Sequence, residues 1–227
     1  MGSVLPTVID LRTIVNDPNV PSSSNLIRNE SLQLPPGSDI TSATTFYLSN
    51  APIVSSSVFV TQGNTVRSQT GYTVDLVNGL IVFSAAPGAS GSLPSPFTAD
   101  YNFNWFTDND YMFFIGKGLE LLGFPNGVTG STTTTLIDTL LLPACYEFAK
   151  AYFYQRRATQ YSDKYSAGGG GQSQQVSVVV KNLQALADQS YKDGIVKRDD
   201  YYKRQGQREA PSSHFINYGI SPGHGLF

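Results

Sequence analysis

Residues 71–83, GYTVDLVNGLIVF, constrain the fold more than any other stretch. Two short apolar runs flank Asn78-Gly79, a dipeptide suited to a two-residue type I′ hairpin because both central positions need positive φ. Such a turn pairs Val77 with Leu80. Outward from it come Leu76 with Ile81, Asp75 with Val82, Val74 with Phe83, Thr73 with Ser84 and Tyr72 with Ala85. Successive pairs alternate faces, so Tyr72, Val74, Leu76, Ile81, Phe83 and Ala85 gather on one largely apolar side. Turn chemistry and hydrophobic pattern agree on one register.

The neighbouring segments follow the same two-residue period. TTFYLSN alternates Phe46 and Leu48, and SVFVTQG alternates Val58 and Val60. In FTADYNFNW (97–105), Phe97, Ala99, Tyr101, Phe103 and Trp105 share one face, while Thr98, Asp100, Asn102 and Asn104 share a wetted one. An inserted small antiparallel β section, a sandwich or curled sheet, is expected over 44–106.

Helical periods lie on either side. Residues 7–16 place Val8, Leu11 and Val15 on one face, with Ile14 beside them, and Asp17-Pro18 ends that helix. Residues 18–43, rich in Pro, Ser and Asn, read as an extended connector that completes an N-terminal segment of 1–43. Thr107 followed by Asp108 and Asp110 is a helix-start signature. The helix it opens carries Phe114 and Leu121, and Gly116 and Gly118 weaken it by roughly 1 kcal/mol each unless close packing requires them. A long helix is expected over about 134–161, with Pro143 kinking it or starting its second half. A flexible glycine-rich loop (166–175), a short β-branched strand VSVVV (176–180) and a helix from about Asn182 to Gln205 complete a helical section over 107–205. In that last helix Leu183, Leu186, Ala187, Tyr191 and Ile195 fall on one side. Residues 206–227 have no period and read as an extended C-terminal arm. The expected class is α+β: a helical bundle with an inserted small antiparallel β section and an extended C-terminal arm.

Reactive chemistry is sparse. Neither GxxxxGK[ST] nor GxSxG occurs, and His214 and His224 have no Cys or clustered carboxylates near them in sequence to complete a metal shell. Helix capping accounts for Asp108 and Asp110, and Asp199-Asp200 sit among Lys197, Arg198, Lys203 and Arg204 as an ordinary charged helix face. The single cysteine, Cys145, lies in an apolar helical context and has no internal disulfide partner. No catalytic, cofactor or metal site is expected, and the chain reads as a non-enzyme. Nor is there a secretory leader, a myristoylation pattern or an apolar run of the roughly 20 residues needed to span a bilayer. The chain is expected in a cytoplasm before it meets partners, with no membrane association.

Assembly is the alternative use for such a surface. Charged residues make up 14% of the chain, against roughly 25% in ordinary globular proteins, so little opposes association. Residues 1–130 hold four cations against nine anions, and residues 131–227 eleven against eight. Two halves of opposite sign can orient subunits, although two ordinary solvated faces would look the same. Candidate partner contacts are Phe215, Ile216, Tyr218, Leu226 and Phe227 of the arm, Val178 and Val179 as an added strand, and Arg156 and Arg157 as salt-bridging partners of other subunits.

The order of these segments resembles the head–tail connector (adaptor) proteins of tailed bacteriophages. The resemblance rests on the hairpin pattern Tyr72, Val74, Asp75, Gly79, Ile81 and Phe83, and on the aromatic–Thr-Asp helix start Trp105, Thr107 and Asp108. It implies a structural virion protein of the phage neck. Such a protein forms a ring, normally twelve-fold, beneath the portal protein and continues the DNA channel towards a downstream neck or tail protein. Genomic DNA would pass through it transiently. The alternatives are a receptor- or glycan-binding module of a tail or baseplate, in which YNFNWF would stack on sugar, and another neck ring for head closure or tail termination.

Overall fold

The computed structural model describes residues 2–17, 25–39, 41–63, 65–67, 69–86, 97–125, 127–129, 132–166 and 173–206. The chain divides into two compact units: a β unit, Arg12–Asp110, inserted in a helical unit made of Met1–Leu11 and Tyr111–Phe227. The class is α+β, with four helices and several small antiparallel sheets among the described residues.

Two antiparallel sheets make up the β unit. The first has the order β2 (Leu26–Ser31), β8 (Phe97–Asn102), β4 (Phe59–Gln62) and β5 (Thr65–Val66). The second has the order β3 (Thr45–Tyr47), β7 (Leu80–Phe83) and β6 (Tyr72–Asp75). Val60, Phe97, Ala99 and Tyr101 from the first sheet share one buried cluster with Phe46, Tyr72, Ile81 and Phe83 from the second. Phe46, Phe83 and Phe97 form its centre, with ring centroids 5.5–6.0 Å apart in edge-on and tilted arrangements that suit aromatic quadrupoles. The β section is thus a sandwich.

The hairpin keeps its expected faces but not its expected register. Tyr72 pairs with Phe83, Thr73 with Val82, Val74 with Ile81 and Asp75 with Leu80, so the turn spans four residues and the pairing slips by two. Asp75 causes the slip. Its carboxylate accepts the Val77 and Asn78 amides at 3.0 and 3.1 Å and the Asn78 side chain at 2.7 Å, and its carbonyl accepts the Gly79 amide at 2.9 Å. An Asx turn displaces the two-residue loop. A slip of two leaves every side chain on its original face. Gly79 retains its positive φ of 67°, and an added Cβ there would stand 3.2 Å from the Asn50 carbonyl.

Two further expectations for this unit change. The connector 18–43 is not free of the sheet, because β2 pairs with β8 through a bulge between Ile27 and Glu30. At that bulge Asn29 adopts φ 52° and donates its amide to Asp100 at 2.7 Å. Asn102 and Asn104, expected on a wetted face, are buried, whereas Phe103 and Trp105 are half-buried. The segment 52–57 lies against them: the Val54 amide donates to the Asn102 carbonyl, the Asn104 amide donates to the Pro52 carbonyl, and Ser57 Oγ accepts the Asn102 amide.

Helix α1 (Val8–Ile14), whose last three residues belong to the β unit, begins at a Thr7–Asp10 capping pair, with the Asp10 amide donating to Thr7 Oγ1. Its Leu11 is buried and its Ile14 exposed. Thr107 caps α2 (Asp108–Leu121) as its sequence indicates: Thr107 Oγ1 accepts the Asp110 amide, and Asp110 accepts the Thr107 amide in return. The span 134–141 is not helical. Ile137–Asp138 forms a short strand (β11) paired with Ser3–Val4 (β1), after the hairpin of β9 (Val128–Thr129) and β10 (Thr132–Thr133). Helix α3 (Leu142–Ser166) starts beside Pro143, a position where proline's missing amide costs nothing.

Helix α4 (Ser173–Arg204) absorbs the expected strand VSVVV. Val176, Val179 and Val180 are half-buried and continue the stripe of Leu183, Ala187, Ser190 and Gly194 at helical spacing. Packing along α3 overrides the β preference of three valines. Leu186, expected on the packed side, is exposed. Helix α3 meets α2 through Tyr111, Phe114 and Phe153, and meets α4 through Phe148 and Tyr191, whose centroids lie 5.5 Å apart.

Candidate contact surfaces

No described helix is long and apolar enough to cross a membrane, and the described residues hold no group of three or more metal-ligating side chains. The residues singled out from the sequence are candidate contact residues. Arg156 is exposed on α3, and Arg157, one residue on, is half-buried. Val178 is exposed near the start of α4, while Val179 turns inward. Because both valines are helical, their backbones are committed to α4 and cannot add a strand to a neighbour. The structure corrects that expectation. Phe215, Ile216, Tyr218, Leu226 and Phe227 of the arm, both histidines and most of the glycine-rich loop lie outside the described residues.

Burial disposes of two residues as reactive groups. Desolvation pushes the Cys145 thiol up to about 12, so it remains a protonated, inert thiol at neutral pH. Tyr101 belongs to the sandwich core, and its hydroxyl donates to Glu30 at 2.6 Å. Of the YNFNWF stretch considered for sugar stacking, Tyr101 and Phe106 are buried, whereas Phe103 and Trp105 are half-buried with ring centroids 5.1 Å apart.

The surface that sequence reasoning missed lies around the β1–β11 ribbon. Ser3 pairs with Asp138 and Val4 with Ile137, and one step further the same register sets Leu5 opposite Leu136. Val4 and Ile137 turn inward. Leu5 and Leu136 turn outward and are 39% and 60% exposed. The segments leaving the ribbon add Ile9 at 76% and Leu140 at 47%. Four large aliphatics on so short a span are more than scattered surface hydrophobics. Their signal was hidden because Leu136 and Leu140 fall within the span 134–161, where one long helix is expected.

The ribbon is held firmly from its inner side. The Pro6 carbonyl accepts from Thr133 Oγ1 at 2.9 Å, and the Thr7 amide donates to the Tyr146 hydroxyl at 2.9 Å. That hydroxyl donates in turn to Asp10 at 2.9 Å. Burial, above all, pushes the Tyr146 phenol up to about 12, so it stays a donor at any physiological pH. From α4, Tyr201 donates to Asp138 of β11 at 3.4 Å. The last turns of α4 therefore end beside the ribbon.

A charged bridge joins α3 to α4. Glu147 accepts from Lys150 at 2.7 Å and from Lys197 at 2.6 Å. Burial alone would raise the Glu147 pKa; the two lysine hydrogen bonds outweigh it and hold the carboxyl below the ordinary glutamate range. A depressed carboxyl stabilises the fold above its unfolded pKa, about 4.3, and loses that contribution as pH falls through its folded pKa. Lys197 is 43% exposed, so solvent screening reduces the effect. Glu147→Gln is expected to cost about 1 kcal/mol in urea unfolding at pH 7 and much less at pH 3. An unchanged gap between the two proteins at both pH values would contradict this.

No known protein family, no curated protein and no solved structure matches the chain.

Proposed function

We infer that the protein is a structural component of a phage neck, a head–tail adaptor that forms a ring beneath the portal and carries no enzymatic activity. The observation that supports this reading most is the insertion. The helical unit is interrupted after Leu11 and resumes at Tyr111, and the described sheets of the unit between them form a β sandwich. That is the arrangement the resemblance implies. Sparse charge and the apolar surface around the β1–β11 ribbon also suit a protein whose work is done by contacts.

The test is imaging of the purified chain by negative-stain electron microscopy, alone and mixed with its candidate portal. Rings with a central hole, or an added layer beneath the portal, are expected. Compact trimers that ignore the portal would overturn the reading and favour a receptor-binding module.

A further inference from the structure

We propose that Asn78 is a site of spontaneous deamidation and that Asp75 is the residue that holds it closed. An asparagine followed by glycine hinders this reaction least, because glycine has no Cβ to obstruct the approach of its own nitrogen. The Gly79 nitrogen loses its proton and bonds to Asn78 Cγ, the Cγ–Nδ2 bond breaks, and ammonia leaves. Water then opens the cyclic imide at either carbonyl, which gives an aspartate or an isoaspartate at position 78. No oxidant, reductant or metal is needed. Asn78 is exposed in the turn between β6 and β7, so water reaches it.

The turn restrains both atoms that must meet. The Gly79 amide, the nucleophile, donates to the Asp75 carbonyl at 2.9 Å, and the Gly79 carbonyl accepts from the Leu48 amide at 2.9 Å. An added Cβ at Gly79 would lie 3.2 Å from both Ala51 Cβ and the Asn50 carbonyl, so this end of the turn is packed against its neighbour. The electrophile is held by the same aspartate. Asn78 Nδ2 donates to one carboxylate oxygen of Asp75 at 2.7 Å, while the other oxygen accepts the Asn78 amide at 3.1 Å. Closing the imide requires the Asn78 side chain to leave Asp75 and the Gly79 amide to give up its bond. The Asn78 side-chain bond, above all, holds the Asp75 carboxyl below the ordinary aspartate range, so it remains an ionised acceptor at neutral pH.

The reaction also removes its own restraint. Conversion to aspartate puts a carboxylate oxygen where the amide nitrogen stood, 2.7 Å from the Asp75 carboxylate. Two anions there repel, and the bond that delayed the reaction is lost. The isoaspartate product adds a methylene to the main chain and disturbs the register of β6 and β7 directly. None of this chemistry depends on the neck reading.

The test is peptide-level mass spectrometry of the full-length chain incubated at mildly alkaline pH, which separates Asn78 from the second Asn-Gly pair, Asn126-Gly127. Asn78 is expected to convert about tenfold more slowly in the folded chain than in the same chain unfolded in guanidinium chloride. Asp75→Ala should convert about fivefold faster than the unaltered chain, the rate equivalent of one net hydrogen bond. Asp75→Asn keeps an oxygen for the Val77 and Asn78 amides but loses the charged acceptor for the side chain, and it should also convert faster. Trp105 fluorescence reports whether each variant is folded, and Asp75→Asn decides alone if Asp75→Ala is not. Equal rates in the folded and unfolded chain would overturn the proposal. So would an Asp75→Asn rate equal to that of the unaltered chain, which would assign the protection to the turn without its carboxylate. The experiment contains no portal, so its failure and the failure of the neck assignment are separate results.

Discussion

Arg12→Ala is expected to destabilise the β unit by about 3–5 kcal/mol, because it leaves a buried carboxylate without its cation. Asp17 is wholly buried and Arg12 nearly so, and the two are 3.2 Å apart. Arg12 also donates to the Asp17 carbonyl at 3.1 Å and to the Phe106 carbonyl at 2.9 Å. Asp17 accepts the Trp105 amide at 3.1 Å and the Asn25 side chain at 3.3 Å. These neutral donors cannot replace a guanidinium that serves several acceptors at once. Arg12 reaches Asp108 as well, at 2.8 Å, but that carboxylate is 63% exposed and adds little. Asp108→Asn should therefore cost under about 1 kcal/mol. Urea unfolding monitored through Trp105 fluorescence would compare the two variants, and similar losses for both would refute the assignment.

Gly118→Ala is expected to destabilise the helical unit by about 2 kcal/mol, although alanine favours a helix over glycine by about 1 kcal/mol. An added Cβ would sit 2.5 Å from the Cys145 carbonyl oxygen and 3.4 Å from the Ala149 amide nitrogen. Both are backbone atoms of α3, so no side-chain rotation relieves the contact and the helices must move apart. The neighbouring Gly116 supplies the control. Its Cβ would meet only Val128, at 3.5 Å, an ordinary contact. Gly116→Ala should be neutral or stabilise by up to about 1 kcal/mol. Thermal melts of the two variants should shift in opposite directions. A rise in melting temperature for both would mean that α2 and α3 do not approach so closely.

That pair also marks the limit of sequence reasoning. Gly116 and Gly118 are equivalent as helix residues, and only the neighbouring helix distinguishes them. Local chemistry was legible in part: Thr107 caps α2, Pro143 marks a helix start although the expected helical turns before it are absent, and the alternation expected over 97–105 holds for Phe97, Ala99 and Tyr101 but fails from Asn102 to Trp105. The hairpin was half legible, since period two fixes its faces while the Asp75 carboxylate sets its register. VSVVV failed because a five-residue β preference yields to packing along a 32-residue helix. The Arg12–Asp17–Phe106 cluster was not legible at all. Its bond from Arg12 to Phe106 spans 94 residues, and nothing local in the sequence links them. The ribbon surface was missed for the same reason, because Val4 meets Ile137 only in the folded chain.

The Arg12 cluster ties the first residue of the β unit to positions just before its last, Phe106 and Asp108. The two ends of the β unit are thus joined by hydrogen bonds between the unit's own residues. The entropy of closing that long loop is then offset in part by contacts within the β unit. Length and sequence can drift in the turns of the sandwich without straining the chain where Leu11 gives way to Arg12. An inserted unit that closes its own ends is one that evolution can exchange, enlarge or trim while the helical unit keeps its fold.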